Sequence, residues 1–111
     1  MATARGPLDR LALVDRTRLD AVTDGDADSR AELIALFVQH AQRRVAECEA
    51  AGDDAAALVR AAHALRGSAD SVGAPRLAHA ALALEQGARP SDWLPALRSA
   101  LDETLEELAR L

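Results

Sequence analysis

The chain contains no lysine and no tyrosine, a single cysteine, and only Phe37 and Trp93 as aromatic residues. Each absence excludes something. Without lysine, a G-x-x-x-x-G-K phosphate loop cannot be completed, and no glycine-rich loop of that type is present, so an autonomous kinase with its own ATP site is not expected. With Cys48 alone, no intrachain disulfide can form and a cysteine-based zinc site lacks ligands, which fits a reducing cytoplasm. No apolar run approaches the roughly 20 residues that span a bilayer, and the N-terminus shows no signal-peptide core. The chain is expected to stay in the cytoplasm.

What is present is alanine, leucine and charge. Half of the 111 residues are apolar, and the formal charge is -5 with arginine as the only strong base. The apolar half is mostly Ala and Leu, which favours helix over strand. An acidic chain without a basic stripe argues against nucleic acid and anionic membrane as partners and leaves a protein as the better electrostatic match. The length corresponds to one domain.

Residues 1–12, with Gly6 and Pro7, read as a flexible or loosely packed lead-in to a domain over 13–111. A short helix is expected from an Asp15 N-cap to about Val22, ended by Asp24-Gly25-Asp26. Ser29 and Glu32 have the spacing of a capping box, and Leu33, Phe37, Ala41, Val45 and Cys48 follow at helical intervals up to Gly52. Asp53 is the expected cap of the next helix, whose stripe runs Leu58, Ala62, Leu65, Ala69, Val72 and stops at Gly73. Pro75 suits the first turn of a helix reaching Gly87. The last helix is expected to start near Asp92, with Pro95 in its first turn and Leu94, Leu97, Leu101, Leu105, Leu108 and Leu111 along one face. The expectation is all-α: an antiparallel four-helix bundle with a short additional N-terminal helix.

His63 lies one residue past the core position Ala62, about 100° around the helix and therefore at the solvent edge of the stripe. Arg66 and Gly67 follow on the same face. Gly67 is anomalous, because a glycine inside a helix costs roughly 1 kcal/mol relative to alanine. Two readings fit. Either the missing side chain opens the imidazole to a docking partner, since helical side chains lean toward the N-terminus, or Gly67 ends the helix and 67–73 is a loop.

The run His63-Ala64-Leu65-Arg66-Gly67-Ser68-Ala69, followed by Gly73-Ala74 and Leu77, resembles the H-x-L-K-G-S-A…G-A…L signature of histidine-containing phosphotransfer (HPt) domains of two-component phosphorelays, and the similarity extends over about residues 15–108. The resemblance implies that His63 is the phosphorylated nucleophile. It would accept the group from an aspartyl phosphate of a response-regulator receiver domain and relay it to another receiver, with a hybrid histidine kinase as a further partner. It also implies no cofactor on this chain, since Mg²⁺ and the acidic pocket belong to the receiver. Neutral imidazole is a competent nucleophile near pH 7, and a loose phosphoryl-transfer transition state needs alignment and charge stabilisation above all.

Arg66 stands where the family usually has lysine; it keeps the charge but presents a planar fork rather than a compact ammonium. It reads either as a group that attracts phosphoryl oxygens or as a solvated surface arginine. Some family members place a glutamine on the following helix against the second imidazole nitrogen, a position that falls on Glu85; a carboxylate there would orient the ring, the alternative being an exposed helix-end glutamate. Arg60, one turn before His63, is either a partner contact or plain surface. His40 and His79 have no i+4 ligand partner, so no metal site is expected. Cys48 reads as core and Trp93 as a cover for one bundle end. A monomer is the default state. The competing function is a helical adaptor, a degenerate phosphotransfer domain that binds receiver or kinase partners without phosphorylation; a hydrolase lacks a placed Ser or Cys nucleophile.

Overall fold

The computed structural model describes residues 8–111. Among the described residues there are five helices and no strand: α1 (Arg16–Thr23), α2 (Ala27–Ala50), α3 (Ala55–Val72), α4 (Pro75–Glu85) and α5 (Pro90–Ala109). Consecutive helices from α2 to α5 pack on one another, and α5 returns to α2, so the four long helices close around a shared core. The short α1 lies against α2 and α3. None of these helices is long and apolar enough to cross a membrane.

The core is built from leucine alternating with alanine. Leu65, Leu77, Leu97 and Leu101 are fully enclosed, and so are Ala41, Ala62, Ala69 and Ala81 between them. Small side chains at helix contacts let the axes approach closely, and large ones fill the space that remains. On α5 the enclosed side is Ala96, Leu97, Ala100, Leu101, Thr104 and Leu108. The all-leucine face expected there is therefore rotated toward the alanines: Leu94 and Leu105 are half-buried and Leu111 is exposed.

Helix starts follow the nearest carboxylate. Asp15 caps α1 by accepting from the Arg18 N–H at 3.1 Å, as its position suggested. The start of α2 differs from the capping-box expectation, because Asp26 accepts from the Ser29 N–H at 2.8 Å and Ser29 lies inside the helix. That bond holds the Asp26 carboxyl below its ordinary range. Likewise Asp54, not Asp53, caps α3, accepting from the Ala57 N–H at 3.0 Å. Two adjacent aspartates look equivalent in sequence, but only one can place its side chain over the first turn.

Gly73 ends α3 with φ +84°, and a Cβ there would come within 2.9 Å of the Asp15 carbonyl oxygen. Glycine is required on both counts. Its own carbonyl accepts from the Asp15 N–H at 2.7 Å, which ties α1 to the end of α3. Pro75 opens α4 as expected. Helix α5 starts at Pro90 rather than near Asp92, so Pro95 falls in the second turn, where it leaves the Ser91 carbonyl without its helical donor.

Of the lead-in expected over residues 1–12, residues 1–7, with Gly6 and Pro7, lie outside the described residues. The remainder is not loosely packed. Leu8 is enclosed in the core, and Arg76 donates to the Leu11 carbonyl from Nε at 3.0 Å and from Nη2 at 2.8 Å.

Candidate functional site

Helix α3 runs unbroken through Gly67 to Val72, which removes the reading of Gly67 as a helix end. Ala62 and Leu65 face the core fully enclosed, so His63 and Arg66 are turned to the edge of the same helix. The His63 side chain is 63% exposed. A Cβ at Gly67 would meet nothing within 4 Å, so no packing partner explains the glycine. The space one turn from the imidazole is open to solvent, and only a side chain longer than a methyl would reach toward the ring.

Helix α4 supplies the second half of the site. Glu85, in its last turn, is drawn under the α3 edge, where its Oε2 stands 2.6 Å from His63 Nδ1 and its Oε1 accepts from Arg66 Nε at 2.7 Å. Glu85 is therefore not a free helix-end glutamate. The Arg66 bond first, and the His63 bond second, hold its carboxyl below the ordinary glutamate range. An ionised carboxylate can only accept, so Nδ1 carries the proton and donates. In the neutral ring this is the Nδ1–H tautomer, with the lone pair on Nε2, which has no hydrogen-bond partner among the described residues.

Arg66 sits differently from the sequence expectation. Its Nε is on Glu85 and its Nη1 donates to Asp70 Oδ2 at 3.1 Å, while Nη2 lies 3.3 Å from His63 Nδ1. Since Nδ1 carries a proton, that last approach is a contact between two donors rather than a bond. The guanidinium is neither a solvated surface group nor free to swing. Asp70 was missed by the sequence reading, although an aspartate four residues after an arginine on one helix face is the signal that would have found it. Arg60 is exposed one turn before His63 and is not drawn into the cluster.

The other candidates stand apart. Cys48 is enclosed in the core, and burial, with Glu47 and Glu49 nearby, pushes its thiol up to about 11. It is not a nucleophile at neutral pH. His79 meets Trp93 ring to ring at 6.2 Å between centroids, and His40 lines a shallow groove between α2 and α3 with Leu36, Phe37 and Ser68. Among the described residues no three His, Cys, Asp or Glu side chains are grouped in a way that could hold a metal ion.

The described residues thus form an all-helical domain in which the exposed imidazole of His63 is held through Nδ1 beside an open helix face. The family model of the Hpt domain matches residues 32–111, and the chain belongs to that family. The matched span takes in α3, α4, α5 and most of α2. Hpt domains are helical phosphocarriers of two-component phosphorelays rather than kinases, and they act with response-regulator receiver domains and kinases. Comparison with curated proteins and with solved structures returns no match.

Proposed function

We propose that this chain is a phosphorelay intermediate that carries the phosphoryl group on Nε2 of His63. The observation that carries the reading is the 2.6 Å bond from His63 Nδ1–H to Glu85 on a ring that is otherwise 63% exposed. One nitrogen is fixed and the other is free. The Nε2 lone pair attacks the phosphorus of a receiver aspartyl phosphate, the P–O bond breaks, and its electron pair leaves with the receiver carboxylate. The ring keeps its Nδ1 proton and becomes a cation facing the Glu85 carboxylate. Transfer onward reverses these bonds on a second receiver, and the pair of the broken N–P bond returns to Nε2. No proton has to move in either direction.

In this reading Gly67 leaves room for the receiver, Arg60 meets its rim, and Mg²⁺ is held by the receiver. The scaffold is an antiparallel four-helix bundle with α1 added, a reading supported by the closed ring of packed helices and by connections of only two to four residues between α2 and α5. The protein acts as a cytoplasmic monomer between receivers, with a hybrid histidine kinase as an upstream partner.

The test is incubation with a receiver domain labelled on its aspartate. Label is expected to move to the chain, to be acid-labile and alkali-stable, and to be lost in His63→Gln. Absence of transfer, or label that survives His63→Gln, would reject the carrier and leave the adaptor.

A further inference from the structure

Two carboxylates hold Arg66, and the way they divide its nitrogens decides what is left for His63. Nε and Nη2 form the edge with which a guanidinium engages a carboxylate bidentately, its preferred geometry. If Arg66 took both oxygens of Glu85, Nη2 would occupy Oε2 and displace the histidine. That arrangement is not the one present. Nε takes Oε1, the imidazole Nδ1–H takes Oε2 at 2.6 Å, and Nη2 is left 3.3 Å from Nδ1 without an acceptor among the described residues. On the far side, Asp70 Oδ2 accepts from Nη1 at 3.1 Å.

We propose that Asp70 is a positioning residue of the phosphotransfer site: by holding Nη1 of Arg66, it keeps the guanidinium off Glu85 Oε2 and so reserves that oxygen for His63. The inference rests on His63 being the phosphoryl carrier only for its effect on transfer; its effect on the ring stands independently. The role is acquired by geometry rather than by strength. The Asp70 side chain is 56% exposed and the Arg66 side chain 28% exposed, and exposed i,i+4 pairs add little stability. Two nearly equivalent placements of one fork need only a small bias to be sorted. Charge is balanced as well, since Arg66 between Asp70 and Glu85 leaves one net negative charge beside the ring, matched to the cation formed when His63 carries phosphate. Without Asp70 the bidentate Arg66–Glu85 pair competes with the present arrangement, and the ring loses its acceptor in the fraction of molecules that adopt it.

The experiment is nitrogen-15 NMR of the imidazole in the unphosphorylated chain, followed by transfer from a phosphorylated receiver, for the parent, Asp70→Ala, Asp70→Asn and Glu85→Ala. The parent is expected to show His63 as the Nδ1–H tautomer. Asp70→Ala should shift it toward a mixture, as Glu85→Ala does fully, with Asp70→Asn intermediate because it keeps one acceptor oxygen. Transfer in Asp70→Ala should fall about threefold to tenfold, the equivalent of one ordinary hydrogen bond at the nucleophile, because the productive tautomer is depleted rather than abolished. Circular dichroism checks that helicity is kept. An unchanged tautomer in Asp70→Ala overturns the proposal, and so does a changed tautomer with unchanged transfer. If the parent itself accepts no label, it is the carrier reading that fails, and the tautomer series still decides the role of Asp70.

Discussion

Glu85 and Gly67 show how single residues are tuned in opposite directions. Glu85 is ionised in the fold and its carboxyl sits below the ordinary range because Arg66 and His63 both donate to it. A depressed folded value means that the stabilisation is fully present above the unfolded glutamate pKa, about 4.3, and is lost as the pH falls through the lower folded value. The urea midpoint of the parent should therefore exceed that of Glu85→Gln at pH 7, and the difference should shrink as the pH falls below about 4.3. Equal midpoints at pH 7 would show that the ion pair contributes nothing. At Gly67 the fold gives stability away. The residue is mid-helix, its φ is not positive, and a Cβ meets nothing within 4 Å. Gly67→Ala should raise stability by about 0.5–1 kcal/mol in thermal or urea unfolding. Gly67→Gln should keep the helix while slowing transfer from a receiver; normal transfer in that variant would refute the clearance argument.

Among the elements, the helix starts distinguish neighbouring residues that sequence treats alike. Asp54→Ala removes the side-chain acceptor for the Ala57 N–H and should destabilise the chain by about 1 kcal/mol. Asp53→Ala should lie within about 0.5 kcal/mol of the parent, as surface substitutions usually do. Chemical unfolding of the two variants measures the difference directly. The reverse order would return the cap to Asp53. Helix periods were legible because apolar residues recur at threes and fours, and Leu58, Ala62, Leu65, Ala69 and Val72 are all enclosed. Exact starts were not, because a cap depends on where a short side chain points after the loop has been laid down. At α5 the period was right but its face was rotated, since an alanine counts as weak in a hydrophobic pattern and yet Ala96 and Ala100 are the residues that let α5 pack closely.

For the molecule as a whole, closing four helices around an alanine-rich core leaves little tolerance for polar atoms. Thr104 is completely enclosed and its Oγ1 has no hydrogen-bond partner among the described residues. Thr104→Val, which replaces that hydroxyl by a methyl, should stabilise the protein by about 1 kcal/mol, read as a raised thermal midpoint with His63 reactivity unchanged. A lowered midpoint would mean that the hydroxyl is satisfied in solution. The sequence by itself determined the helical class, the number and approximate extent of the helices, and His63 with Gly67 on one helix edge, because each of these is written in a local period or a short motif. Only the tertiary structure decided the state of the imidazole. Glu85 is 22 residues from His63 along the chain, and the bond between them exists because α4 packs back on α3. The same packing brought Glu85 to Arg66, which its own helix already paired with Asp70, and so turned a surface charge into a group held from both sides. Local spacing says which residues share a face, but how their donors and acceptors are divided is settled only when a second helix brings its own carboxylate to that face.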